Sequence, residues 1–343
     1  MRRLADLRGR WVRSGLAGAL ASAAGRPSRR RAQRQDAGAD GKGEKGKYED
    51  RWQPHVQRLE RLSSEELEAL KASVWRTVEY REWKETVRAS VDPALRHTIP
   101  AVDALPDEEL DTLNGALPWG AFVIDGKGRP FGRPWSTDKR SVPHVIPDPR
   151  IVALDQRIPL RDSVVLELGC FEGLHTVALA ARAKHVLATD ARIENLAKTL
   201  VRCWAFGYAP TVFRWNVEES PPGHVEIDCD VAHHVGVLYH LTDPVGHMRR
   251  LAPHVRRSIV LDTHVASDTD QLEDYPVDGE VLRVRRYREK GRHDPFSGME
   301  DYSRWLLEDD LVRVLRDLGF ATVETAERRD ERNGPRVLIY AER

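Results

Sequence analysis

From residue 158 onward the sequence alternates short apolar runs with amphipathic ones, and no other feature limits the fold as tightly. Residues 163–168, 185–189, 211–215, 230–235 and 258–262 read as strands, as do 321–325 and 336–341. Residues 176–182, 193–206, 245–251 and 307–318 read as helices, the last closed by Gly319. Near-continuous apolar strands between helices imply a parallel sheet covered on both faces. Right-handed crossovers then predict an α/β, doubly wound, seven-stranded and mostly parallel sheet. In such sheets ligands bind outside the carboxyl ends of the strands.

The rest of the chain divides by charge. It has 343 residues, with 54 basic side chains against 54 acidic. Residues 1–47 hold 13 basic and 4 acidic groups, which leaves 41 basic and 50 acidic in the remainder. The first segment has little to bury and reads as a disordered basic tail. Its first 24 residues run from arginines into a short alanine-rich stretch followed by Arg29-Arg30-Arg31, a poor match to an export signal. Three scattered cysteines, Cys170, Cys203 and Cys229, fit a reducing, cytoplasmic setting. No run approaches the roughly 18 apolar residues of a membrane span, so stable membrane insertion is not expected. Residues 48–157 read as a helical and irregular extension, a candidate substrate cap. Ser63 and Glu66 form a capping box there, and Trp52, Trp75 and Trp83 are suited to packing on the main domain. Residues 121–126 suggest a strand entering a turn.

The chemistry centres on Val165-Leu166-Glu167-Leu168-Gly169-Cys170-Phe171-Glu172-Gly173-Leu174-His175-Thr176. An apolar strand ends in a glycine turn that opens a helix, where backbone approaches a ligand and free N–H groups face it. Asp190, ending the second strand 21 residues after Gly169, suits the hydroxyls of a ribose. A dinucleotide loop needs glycines two positions apart, and Phe171 stands at the second of those positions. Glu167 also suits a cationic ligand better than a diphosphate.

These residues resemble the class I S-adenosylmethionine-dependent methyltransferases. Their first motif places an acidic residue two positions before a glycine-rich turn, and their second ends strand two with an acid. The resemblance implies a Rossmann-like methyltransferase fold over residues 158–343 and S-adenosylmethionine as cofactor. It implies that Glu167, Gly169 and Gly173 flank the methionine part, that Asp190 binds the ribose, and that Asn216 contacts the adenine. Cys170 and His234 complete the expected cofactor set. The segment Gly236-Val237-Leu238-Tyr239-His240 is similar to the bacterial tRNA wobble-uridine carboxymethyltransferases, as are Gly169-Cys170 with His175, and Trp135–Arg140 more weakly. That likeness implies a carboxylated cofactor touched by Tyr239 and by Lys139 or Arg140.

Methyl transfer from a sulfonium needs alignment above all, and a hydroxyl acceptor gains from a general base. His240, in the loop beyond strand four, is the first candidate, ahead of His234 and His264, with Tyr239 beside it. No metal is expected, because His233 and His234 point to opposite faces of a strand. Residues 266–302 form a long insertion suited to a lid or wall. Arg283 and Arg285 share one face of a strand there, read as a basic edge strand or as forks for an acidic acceptor. The leading expectation is methyl transfer to a small-molecule or sugar-like acceptor. Alternatives are a tRNA-modifying methyl- or carboxymethyltransferase, and a nucleotide-fold binding module without catalysis. The sequence carries no signature of a particular oligomer. If an anionic surface or RNA binds, residues 1–47 carry the contact. Deleting them should abolish salt-sensitive binding in a filter-binding assay and leave cofactor affinity unchanged; a fall in cofactor affinity would refute the separation.

Overall fold

The computed structural model describes residues 105–133, 143–144, 146–277 and 279–343. The predicted tail, the segment 48–104 and the basic run with Lys139 and Arg140 lie outside these. The described chain opens with α1 (Asp107–Ala116), a hairpin of β1 (Phe122–Ile124) and β2 (Pro130–Gly132), and α2 (Pro149–Arg157). The Asp148 carboxylate caps α2 by accepting the Arg150 N–H at 2.9 Å, with Pro149 at the first helical position.

The alternating part follows: β3 (Val164–Leu168), α3 (Leu174–Ala180), β4 (His185–Asp190), α4 (Ile193–Ala205), β5 (Thr211–Arg214), β6 (Cys229–Val235), α5 (Pro244–Leu251) and β7 (Val255–His264). The chain then leaves the sheet for β8 (Leu272–Val277), β9 (Glu280–Arg288) and β10 (Tyr302–Leu306). It returns through α6 (Glu308–Asp317), β11 (Thr322–Glu331) and β12 (Gly334–Glu342). The main sheet has seven strands in the order β11-β12-β7-β6-β3-β4-β5, and β12 is antiparallel to both its neighbours. The expected strands and helices are present, the later strands being longer than their apolar runs.

Period-two alternation divides the core. Val165, Val231, Val260 and Leu338 face α1, α2, α3, α4 and the hairpin. Leu166, Ala232, Ile259 and Ile339 face α5, α6 and the β8–β10 sheet. The strand order reverses between β3 and β6, which leaves a crevice at their carboxyl ends. The insertion departs from its expected form. β9, which carries Arg283 and Arg285, is the central strand of an antiparallel sheet and not an edge. Its Leu282 and Val284 are buried against the main core, so burial fixes its position.

The hairpin is tied to the glycine loop by ionic contacts. The fully buried Glu172 carboxylate accepts the Gly120 and Ala121 N–H groups at 2.7 and 3.1 Å and the Lys198 ammonium at 2.6 Å. Beneath it Arg202, also fully buried, donates to the carbonyls of Glu172 and Phe131 and lies over the Trp119 and Phe131 rings. Burial lowers the Arg202 pKa to about 10 despite the nearby Glu172. Glu172→Ala would leave a buried ammonium and two N–H groups unpaired. It should cost about 3–5 kcal/mol of stability, read by denaturant unfolding; a loss under about 1 kcal/mol would contradict this account.

Candidate functional site

A cavity of about 400 Å³ opens at the carboxyl ends of β3, β4 and β6. Glu167, Gly169, Cys170, Asp190, Asn216, Tyr239 and His240 all line it. Among the residues expected there, Gly173 and His234 do not.

The loop after β3 turns through three left-handed residues: Gly169 at φ 68°, Phe171 at φ 52° and Gly173 at φ 78°. A side chain at Gly169 would meet Val237 Cγ2 at 2.5 Å, so glycine is required by both conformation and space. Phe171 adopts the backbone that glycine would, at a cost of roughly 1–2 kcal/mol, and its ring packs on Phe296 at 5.3 Å. Gly173 serves the packing of α3 on α4, since a Cβ would lie 3.1 Å from Thr199 Cα. Cys170 is buried, with Sγ 3.4 Å from the Thr199 hydroxyl, and burial drives its thiol pKa well up.

Two acids form one end of the cavity. Asp190 accepts N–H groups from Arg192 at 2.8 Å and Phe171 at 3.1 Å and the Asn195 amide at 3.2 Å. These three bonds fix its orientation and leave acceptor capacity for a ribose hydroxyl. Burial raises its pKa against their pull. Glu167 accepts the Thr176 hydroxyl at 2.6 Å and is pushed up to about 7, chiefly by burial, with His175 acting in the opposite sense. A cationic ligand at this carboxylate would supply the charge that burial lacks. Asn216 sits past β5 in a turn held by its amide on Glu219 at 3.1 Å.

The other end is built around His240. Its Nδ1 lies 2.9 Å from the Glu289 carboxylate, which also accepts the Ser303 hydroxyl and the Gly298 N–H. Burial would raise the Glu289 pKa, but His240, the Ser297 hydroxyl and the Gly298 N–H hold it below the usual carboxylate value. Burial raises the Tyr239 pKa, opposed by Arg336, so the phenol remains protonated near neutrality. Asp262 at the end of β7 receives three guanidiniums: Arg150 at 3.0 Å, Arg329 at 2.7 Å, and Arg336. Arg150 and Arg336 reach the cavity.

His234 requires correction. Strand alternation turns it to the far face of β6, where its Nε2 lies 2.9 Å from His247 Nε2, and His247 Nδ1 donates to the Val217 carbonyl at 2.9 Å. Burial holds both imidazoles neutral. His264 stacks on Trp305 with ring centroids 4.7 Å apart and also lies outside the cavity lining. His233 faces Glu167 and His175, and the three offer ligand atoms within 4.8 Å of one another. Of these atoms' neighbours, Thr176 already binds Glu167, and His175 Nε2 lies 3.3 Å from Asp148. His233 and His234, weighed as metal ligands, thus lie on opposite faces of β6 with different neighbours.

The seven-stranded sheet order, with its cavity at the carboxyl ends of the strands, is that of the Rossmann-like methyltransferase fold. No family model matches the chain. It is 26% identical over 174 residues to a tRNA U34 carboxymethyltransferase of Marinobacter nauticus, across 48% of each protein. It is 29% identical over 171 residues to that of Pseudomonas aeruginosa, across 47% of this chain and 48% of the other. The chain thus matches about half the length of these curated relatives. Among solved structures, the N-terminal domain of EvdMO1 with S-adenosylhomocysteine and D-fucose is 25% identical, with a TM-score of 0.51 over 60% of this chain and 88% of that one. The same domain with S-adenosylhomocysteine alone gives 24% identity and a TM-score of 0.58 over 69% and 97%. No helix among the described residues is long and apolar enough to cross a membrane.

Glu167 gives the site a pH dependence. A cationic ligand selects the ionised carboxylate, so below about 7 binding must first expel a proton. Affinity for S-adenosylhomocysteine should rise from about pH 6 to 8, by at most about tenfold per unit, then flatten. For the free protein the sign is opposite. The raised pKa favours the fold below the ordinary carboxylate value, and that contribution is lost as pH rises through about 7. Titration calorimetry of wild type against Glu167→Gln checks the assignment, and a flat wild-type profile would refute it.

Proposed function

We propose that the protein transfers the methyl group of S-adenosylmethionine to a hydroxyl of a small, sugar-like acceptor, with His240 as general base. The observation that carries this reading is the His240–Glu289 pair at the wall of the cavity. Nδ1–H donated to a buried carboxylate fixes the tautomer and leaves Nε2 as the proton acceptor. The carboxylate also stabilises the imidazolium formed as the hydroxyl loses its proton. The cofactor, when bound, supplies an electrophilic methyl group. Asp190, Glu167 and Asn216 hold its ribose, cationic end and base, and leave the methyl to face the His240 end. The loop at Pro295–Met299 excludes water from one side. The similar EvdMO1 domain, crystallised in the presence of S-adenosylhomocysteine and D-fucose, supports a sugar hydroxyl as the acceptor class.

A second reading is a tRNA-modifying transferase with a carboxylated donor. It is supported by the names of the curated relatives and by Tyr239 and Arg336 at the cavity wall, suited to a carboxylate. Mass analysis of cofactor that copurifies separates the two, since a plain methyl sulfonium favours the first. His240→Ala should lower kcat by roughly 10²–10⁴ and leave S-adenosylhomocysteine affinity within about twofold. Glu289→Gln should give a smaller loss. Full turnover by His240→Ala on an accepted sugar would overturn the assignment.

A further inference from the structure

Arg192 lies two residues past Asp190, immediately before α4. Among the described residues its guanidinium donates to backbone carbonyls, and all of them belong to the segment between β9 and β10. One terminal nitrogen lies 3.3 Å from the Gly291 oxygen, 2.9 Å from that of Asp294, 2.9 Å from Ser297 and 3.2 Å from Gly298. Nε lies 3.2 Å from the Arg292 oxygen. Carbonyl oxygens turned toward one point repel one another, and a fixed cation at that point holds the loop in this shape.

The same loop touches both ends of the cavity. Its residues Pro295–Met299 form one wall, and Phe296 packs on Phe171 of the glycine loop. Its Gly298 N–H and Ser297 hydroxyl bind the Glu289 carboxylate that orients His240. A side chain at Gly298 would lie 2.5 Å from the His240 carbonyl, so the loop also rests on the backbone of the base. At the opposite end, the Arg192 N–H donates to Asp190 at 2.8 Å. A continuous set of contacts therefore runs from the ribose acid through Arg192 and the loop to Glu289 and His240.

We infer that Arg192 is a positioning residue that latches the loop Gly291–Met299 over the cofactor and thereby sets Glu289 to orient the base. The base half of this inference rests on the His240 reading above; the latch half does not. Cofactor hydroxyls that order Asp190 also order Arg192, so occupancy of the cofactor site promotes assembly of the base. Arg192 itself lines the cavity, but its guanidinium is committed to the loop carbonyls, so it acts through the loop.

The test uses the full chain with Arg192→Met and Arg192→Lys. Three quantities are read: S-adenosylhomocysteine affinity by calorimetry, tryptic cleavage after the exposed Arg292, and turnover at saturating cofactor. For Arg192→Met, affinity should fall roughly tenfold or more, the scale set by hydrogen bonds from a charged donor. Cleavage after Arg292 should accelerate, and S-adenosylhomocysteine should protect wild type far better than the variant. Turnover should fall even when cofactor saturates, with acceptor KM changing less than kcat. Arg192→Lys, which keeps the charge but not the fork, should recover part of each effect. Unchanged affinity and unchanged cleavage in Arg192→Met, or a lowered melting temperature with both intact, would overturn the latch. Full turnover by His240→Ala would remove the base assignment and leave the affinity and cleavage results to decide the latch alone.

Discussion

The cavity depends on one carboxylate. Glu172 lies in the turn that must pass through left-handed conformations at Gly169, Phe171 and Gly173, and its side chain is fully buried. By binding two N–H groups of the segment before β1 and the ammonium of Lys198 on α4, it joins three pieces of chain that share no periodicity. A buried carboxylate without partners would be expelled or protonated, so the contacts that satisfy it are mutually obligatory. Arg202 extends the arrangement by gripping the Glu172 backbone carbonyl directly. The strain at Phe171 is thus held on both sides, by ionic contacts next to it and by the ring of Phe296 above it.

The cavity that results is lined by groups of both charges. Asp190 and Glu167 occupy the end near β3 and β4, where burial raises both carboxyl pKa values. Arg150 and Arg336 also line the cavity, anchored on the Asp262 carboxylate, with Arg150 3.5 Å from His175. Asp262 stays ionised because three guanidiniums oppose its desolvation. The −9 of the sequence beyond the tail is therefore not an even acidic surface. Part of it is buried where it fixes backbone, as at Glu172, Asp190 and Glu289.

Much of this was legible in the sequence, for a physical reason. Strands buried on both faces must be apolar throughout, and a cofactor loop needs glycine where Cβ would clash, so the seven strands, Gly169 and Asp190 leave marks in composition and spacing. Contacts made by side chains from distant elements leave none. Glu289 reaches His240 across 49 positions, and Arg150 reaches Asp262 across 112. The faces of β6 were a different kind of difficulty. Alternation states that His233 and His234 point apart, but which of them faces the β3 side depends on the register that pairs His233 with Glu167. Gly173 was read as a ligand contact because helix packing and cofactor approach both demand glycine, and only the distance to Thr199 distinguishes them.

The insertion between β7 and α6 illustrates how such a site gains a second function from one element. Its three strands are fixed by burial of Tyr275, Leu282, Val284 and Leu306 against the main core, so the loop between β9 and β10 projects from a rigid base. The loop itself has only one short helical turn and must be held by side chains from elsewhere. Arg192, beside Asp190, and Phe171, in the strained turn, hold it from outside, and Glu289, the first residue after β9, ties it to His240. A loop fixed by these three groups cannot close well unless all three are in place. The geometry at Asp190 and the geometry at His240 are therefore set together through this loop.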